Sequence, residues 1–524
     1  MGEGFVMAST WKLSEKIAKD TQALVVSGFG RLEYGVALFL QLPAGAGGKW
    51  LNALLDKYPA TAADQLGGNG NPLPFAMSLS LTASGLTAMG LSKTEMASFS
   101  APFREGMMQT DRLRRLGDRR KGQWLDTVID GGPKWSGNTE QLDLVSAVRA
   151  KSDTEELPVV TEMTVHAMVL LYADSEVEIA EYVGDIAKLL KKHRVAIVHQ
   201  LPLALGKDDE KGFSREHFGF ADGISQPLPF DEEEAVVGRG GEYITTGDPV
   251  NGVRLGEILM GYENGHQEIA PGPIAEDKEG SPLPELERAR GRRDLGKNGS
   301  YVVVRQLSQN VAAFWNGMDK AADAIRTQDP SATHVNEEWV AEKVVGRGID
   351  GKALRRDGYL DNDINGSVRN DFLYFDDDRH GEGCPLGSHV RRANPRDSLA
   401  PGKTMKQTLL DAANNHRILR RGRKYGPDPK DKRKDDGKER GLLFVCLNTD
   451  IARQFEFTQQ TWLLNSDFAT LFEETDPLVG PDGEMTIPAK PLRRRAKVET
   501  FVKMVGGEYF FLPSIPGLAY LASL

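Results

Sequence analysis

Short apolar segments rich in β-forming residues alternate with segments of helical periodicity, and the alternation occurs twice along the chain. In the first half the strand-like runs are 36–42, 75–81, 165–172 and 195–201. Between them, 92–98 opens with Ser92 and Glu95 at capping-box spacing. The segment 175–192 places Val177, Ile179, Ala180, Val183, Ile186, Leu189 and Leu190 at helical spacing. In the second half the runs 301–307, 441–447 and 509–512 read as strands, and 311–326 and 337–345 as helices. This pattern predicts a layered α+β fold. At 524 residues the chain exceeds one compact core, so two halves are expected. The stretch 227–298 is rich in Gly, Pro and charge and reads as loops. The expected division is 1–240, a loop-rich connection 241–298, and 299–524; no fixed-period repeat is visible.

Composition removes several function classes. A net charge of -10 argues against a general nucleic-acid binder. The basic run 417–440 is interleaved with Asp, Gly and Pro and reads as a solvated loop. With only Cys384 and Cys446, no disulfide framework is expected and a reducing cytoplasm suits the chain. The first residues lack a signal-peptide pattern, and no apolar run reaches the roughly 20 residues of a spanning helix. There is no Walker loop and no Gly-x-Ser-x-Gly elbow.

Three segments carry chemistry. In Glu216-His217-Phe218-Gly219-Phe220-Ala221-Asp222-Gly223-Ile224-Ser225-Gln226-Pro227, two glycines flank one acid. The backbone can bend sharply there and bring Asp222 to a flat ligand, in a dry site where an acid–base role is available. In Cys384-Pro385-Leu386-Gly387-Ser388-His389-Val390-Arg391-Arg392-Ala393-Asn394-Pro395-Arg396-Asp397, a single histidine sits among small residues, which suits a haem-iron ligand as well as a buried hydrogen-bonded imidazole. In the run from His416 to Gly426, Ile418 and Leu419 pull against a core. At least one arginine should then point inward and meet an anion.

Together the three segments resemble the dye-decolorizing peroxidase family of haem enzymes. Gly219-Phe220-Ala221-Asp222-Gly223 is similar to its G-x-x-D-G signature, the His389 segment to its proximal-histidine segment, and Arg420–Gly426 to its distal-arginine segment. The ending Tyr509-Phe510-Phe511-Leu512-Pro513-Ser514 and the early Phe103-Arg104-Glu105-Gly106-Met107 are also similar. The length points to the larger intracellular bacterial subgroup. The resemblance implies two ferredoxin-like halves, each an antiparallel sheet flanked by helices, with haem b held mainly by the C-terminal half. It implies that His389 is the axial iron ligand, with Asp222 and Arg420 on the opposite, peroxide face. Arg421 is the rival of Arg420, but counting back six from Gly426 gives Arg420.

The implied reaction reduces H2O2 and oxidises dyes, phenolics or Mn2+ through a ferryl intermediate. The alternative is a haem-binding or iron-release protein without peroxidase turnover. One carboxylate within reach of both peroxide oxygens can move the proton, and an arginine can stabilise the departing oxygen. Leu442 and Phe444, two apart on a strand, share a face and form an apolar wall. Arg391, Arg392, Arg396 and Arg417 are available to haem propionates. The acceptor behind the proximal histidine is Asp450 or Glu456. Tyr374, Tyr425, Trp462 and Tyr509 are candidates for electron transfer from large donors, with packing the simpler role. Asp361, Asp363, Asn365 and Gly366 match the start of a calcium loop, but Phe372 stands where the bidentate Glu belongs. Asp376-Asp377-Asp378 could bind Mn2+, with solvation the simpler reading.

Overall fold

The computed structural model describes residues 13–66, 74–139, 159–206, 214–230, 236–237, 243–244, 249–286, 289–363, 366–490 and 493–524. The N-terminal half contains β1 (Tyr34–Gln41), α1 (Lys49–Lys57), β2 (Phe75–Leu81), β3 (Ala167–Ala173), α2 (Glu176–Lys192) and β4 (Ala196–Ala204). Its strands pair antiparallel in the order β4-β1-β3-β2. The C-terminal half contains β5 (Ser300–Gln309), α3 (Val311–Gln328), α4 (Glu337–Val345), α5 (His389–Ala393), β6 (Leu419–Arg420), β7 (Arg423–Tyr425), β8 (Gly441–Asn448) and β9 (Val502–Leu512). There the order is β7-β8-β5-β9. In each of these four-strand orders the first and third strands in sequence lie in the middle and the last at an edge, which is the ferredoxin-like arrangement.

The two sheets join at both edges. Tyr425 of β7 pairs with Leu203 of β4, and Leu81 of β2 pairs with Phe511 of β9. The strands thus close into a ring within an 11-stranded sheet. Alternation along each strand divides the core in two. Ala37, Phe39, Leu170, Val302, Val304, Leu443, Val445 and Phe510 form one buried cluster drawn from both halves, inside the ring. Val36, Leu38, Leu40, Met77 and Leu79 pack on the other face against Trp50, Leu51 and Leu54 of α1 and Ile186 and Leu190 of α2. The predicted capping box forms between Ser92 and Glu95, and Ser175 caps α2 through the Glu178 N–H.

Part of the 227–298 connection forms two-stranded ladders of its own. Leu228–Phe230 pairs in parallel with Gly252–Arg254, and Ile274–Glu276 pairs with Arg292–Asp294. The basic run divides: 417–425 turns inward, and 426–439 is a largely exposed loop, as expected, tied to the helices at a few points. Arg433 reaches Asp319 of α3 at 2.8 Å and Glu337 of α4 at 2.9 Å, and the Lys432 ammonium lies 3.5 Å from the Trp315 ring centroid. Among the described residues no helix is long and apolar enough to cross a membrane. Cys384 and Cys446 are free and buried. The glycine-rich run at 67–71 lies outside the described residues.

Candidate active site

The Asp222 loop is built by its neighbours in sequence. Gly219 and Gly223 adopt φ of +99° and +80°, in the left-handed region that glycine enters without cost. Phe218 and Phe220 drop into the core around α3, where Phe218 stacks on Phe314 at 4.2 Å between centroids. The carboxylate of Glu216 accepts the N–H groups of Phe218 at 2.8 Å and Phe220 at 2.9 Å. Burial pushes Glu216 above its usual range despite these bonds. The motif therefore sits on the C-terminal half, with the Ala221 N–H on the Ile349 carbonyl at 3.0 Å. The loop anchors through its aromatics and leaves the acid at the rim, where its side chain is 41% exposed.

Arg420 faces Asp222, with Nη2 3.6 Å from Oδ1. The sheet register explains this. Arg420 is opposite Cys446, so its side chain shares a face of β8 with Cys446, Phe444 and Leu442. Leu442 and Phe444 are half-buried on that face, whereas Leu443 and Val445 are buried on the other. Arg421 turns away: Nε donates to the Leu24 carbonyl at 2.9 Å and Nη2 to that of Val25 at 2.8 Å. Burial lowers its pKa to about 10. Arg423 similarly donates to the carbonyls of Leu32 at 2.8 Å and Phe29 at 2.8 Å. Arg421 and Arg423 therefore meet backbone carbonyls, while Arg420 is the arginine of this run that meets a carboxylate.

His389 is the first residue of α5. Its segment lies against the end of α4, where the Ser388 hydroxyl donates to the Lys343 carbonyl at 2.6 Å. Gly346 terminates α4 at φ +97°, and a Cβ there would meet Ser388 Cβ at 3.0 Å and Cys384 Sγ at 3.2 Å. The acceptor behind the histidine is Asp476, whose Oδ2 lies 2.9 Å from Nδ1. This corrects the expectation of Asp450 or Glu456. Asp450 instead accepts the Arg453 N–H at 3.0 Å. Glu456 is buried on a π-helical stretch, bound to Arg112 at 2.5 Å and the Tyr509 hydroxyl at 2.8 Å.

Asp476 is fully buried, and its Oδ1 accepts the N–H groups of Leu478 at 2.9 Å and Val479 at 3.0 Å. Burial opposes its charge. His389 and those N–H groups outweigh burial and hold the carboxyl below its usual range. The sequence did carry a local signal: Asp-Pro opening a turn is the setting in which an Asp side chain binds the N–H groups that follow it.

The arginines expected at propionates separate into two groups. Arg391 is corrected. It is fully buried, with Nη1 on the carbonyls of Asp378 at 2.9 Å and Cys384 at 2.7 Å and on the Asp378 carboxylate at 3.3 Å, so it braces α5 from within. Arg392 likewise donates to the carbonyls of Trp462 at 2.8 Å and Glu474 at 2.5 Å. Arg396 also donates to carbonyls, those of Asn370 at 2.9 Å and Phe372 at 2.6 Å, and differs in sharing a further acceptor with a second arginine. It and Arg347, which the sequence did not single out, both donate to Oδ1 of Asn370 at 2.7 Å. Two buried guanidinium charges thus converge on one neutral oxygen. Burial and the neighbouring Arg396 bring the Arg347 pKa down to about 10. Asn370 also bonds Asn251, which accepts from Arg417.

Other candidates have structural partners. Tyr374, Tyr425, Trp462 and Tyr509 are all buried. Asp376, Asp377 and Asp378 pair separately with Lys406, Arg355 and Arg391. Asn365 of the calcium-like loop lies outside the described residues, while Asp363 forms a turn on the Ser367 N–H at 2.7 Å. Among the described residues no group of three or more His, Cys, Asp or Glu is placed to hold a metal.

These parts fit a haem. Nδ1–H of His389 donating to an ionised buried acid fixes the tautomer with its lone pair on Nε2. Nε2 has no protein partner among the described residues, and the ring is 29% exposed. An α+β barrel offering one such imidazole, a facing acid–arginine pair and converging buried guanidiniums is a protein for a planar anionic prosthetic group. Comparison with known proteins agrees. The chain is 31% identical over 415 residues to a multifunctional dye peroxidase of Amycolatopsis sp., covering 74% of this chain and 79% of that protein. It is 27% identical over 397 residues to a dye-decolorizing peroxidase of Mycena epipterygia, covering 68% and 66%. The solved DyP-type peroxidase of Anabaena sp. superposes with a TM-score of 0.71 at 25% identity over 97% of this chain and 95% of that one. No family model matches the chain. The chain belongs to the dye-decolorizing peroxidase family, whose members are haem enzymes.

Proposed function

We propose that the protein binds haem b through Nε2 of His389 and reduces hydrogen peroxide with electrons taken one at a time from dyes or phenolics. The observation that carries this reading is the 2.9 Å bond from His389 to the buried Asp476, which leaves a directed lone pair on the opposite nitrogen. When bound, haem iron supplies the coordination position and the electrons for cleaving the O–O bond. Asp222 takes the proton from one peroxide oxygen and delivers it to the other. Arg420 directs fixed donors at the charge that develops on the departing oxygen. Two electrons and two protons then account for two waters per peroxide. Leu442 and Phe444 limit water on that face. Arg396 and Arg347 supply positive charge for the propionates.

Organic donors are supported by the relative named a multifunctional dye peroxidase and by a solved family member in complex with 2,6-dimethoxyphenol. A cytoplasmic location is part of the reading, in keeping with two free buried thiols. The test is a haemin titration of apoprotein followed by one equivalent of H2O2. A Soret band saturating at one haem per chain, lost in His389→Ala, and a rapid spectral change with peroxide are expected. An apoprotein that gives no Soret band refutes haem binding. A loaded protein unmoved by peroxide would be a haem carrier.

A further inference from the structure

Gln226 closes the same loop that carries Asp222, and its side chain is directed at the backbone of Arg420. The Arg420 N–H donates to Oε1 at 3.0 Å, and Nε2 donates to the Arg420 carbonyl at 3.2 Å. Sheet geometry explains why those two groups need a partner. The next residue, Arg421, directs its N–H to the Val445 carbonyl of β8 at 2.7 Å. Successive residues of a strand point their backbone groups in opposite directions, so the N–H and C=O of Arg420 lie on the side of β6 away from β8. An edge of this kind offers a free donor and acceptor, and a two-residue strand cannot fix its own position. The Gln226 amide carries one donor and one acceptor at the spacing of a peptide group and stands where a further strand would. Arg421 adds to this, with Nη1 3.3 Å from the same carbonyl.

We infer that Gln226 is a positioning residue that sets Arg420 against Asp222. The loop presenting the acid also holds the backbone of the arginine, so one rigid piece fixes the 3.6 Å separation between them. This inference rests on the role proposed above for Arg420. A displacement of about 1 Å can cost on the order of 100-fold in rate. Gln226→Ala in the haem-loaded enzyme should lower kcat/KM for H2O2 by ~10–100-fold and leave kcat/KM for a phenolic donor unchanged, because only the peroxide half-reaction uses Arg420.

Two controls separate positioning from general damage. Amide hydrogen exchange at Arg420 should accelerate in Gln226→Ala while exchange across β8 stays slow. In an Arg420→Leu background, Gln226→Ala should add no further loss, since a residue acting through another has no effect once that other is gone. Should Gln226→Ala fail to fold, Gln226→Glu retains the acceptor and loses the donor, and the same cycle is read on it.

If Arg420→Leu leaves the peroxide step unchanged, the proposed role of Arg420 falls. If Arg420→Leu slows that step but the Gln226 variants do not, or if the two losses multiply, this inference alone is overturned. Equal losses in both half-reactions would likewise reduce Gln226 to a structural residue.

Discussion

The substitution Asp476→Asn tests the proximal arrangement by inverting a single proton. The parent carboxylate faces His389 Nδ1 at 2.9 Å with Oδ2 and takes two backbone N–H groups with Oδ1. An asparagine has one oxygen and one amide nitrogen, so it must choose. Placing nitrogen toward Leu478 and Val479 sets two donors against a donor, whereas placing it toward the histidine sets one. Each unsatisfied buried donor costs about 1–3 kcal/mol, so the second orientation wins. The amide then donates to Nδ1, the ring proton moves to Nε2, and the lone pair needed by iron is lost. Regaining the productive tautomer costs one hydrogen bond. Loss of such a supporting partner typically weakens metal binding by about 10–100-fold, equivalent to ~1.4–2.7 kcal/mol. The assay is a haemin titration followed at the Soret band, alongside thermal denaturation of the apoprotein. The expected result is a haemin Kd raised by that factor with a nearly unchanged apoprotein midpoint, since both backbone bonds survive. An Asp476→Asn apoprotein that takes up haemin as tightly as the parent would refute the tautomer argument.

Asp222→Asn should keep the haem content of the parent while slowing the reaction with peroxide by about 100- to 10,000-fold, read by stopped-flow absorbance. Gly346→Ala should lower the thermal midpoint and haem occupancy together. The new Cβ meets Ser388 and Cys384 directly behind His389 and must hold a left-handed φ, which differential scanning calorimetry with haem quantitation will show. The dependence of stability on pH should have a maximum on the acid side of neutrality. Burial raises Glu216 and Glu508 above the ordinary 4.5, so their contribution declines as pH rises from that value through their folded pKa values. Asp476 and Asp428 are held below the ordinary 3.8, so what they contribute is intact above 3.8 and is lost as pH falls through their folded values. Melting midpoints between pH 3 and 8 check the sign, and a monotonic rise toward pH 8 would contradict it.

Elements with a strong local pattern were legible in the sequence. The runs that became β1, β2, β5 and β8 are apolar enough to be recognised alone, and α2 announces its buried face through Ile186 and Leu190. The Asp222 turn was legible because glycine has a physical reason to stand where φ is positive. What depended on distant partners was not. Asp476 lies 87 residues from His389, and its Asp-Pro turn marks an acid that binds nearby N–H groups without naming the histidine as its other partner. Arg391 and Arg396 are five apart and equally basic, yet one is neutralised by Asp378 and the other shares Asn370 with Arg347. An inward arginine in this run was expected, but the carbonyl partners of Arg421 and Arg423 near residues 24–32 could not be read from a basic run 391 to 397 positions away.

The closed ring has a consequence for how the protein is made. Its final strand, β9, pairs with β5 along most of its length and meets β2 through Leu81 and Phe511. The edges of β2 and β5 that it covers therefore stay unprotected during synthesis until β9 itself has been made. Asp476 is also made late, 87 residues after His389, so a chain that lacks this stretch has neither a closed barrel nor an imidazole with its acceptor. Loss of the C-terminal strand would leave two long apolar edges open to other chains.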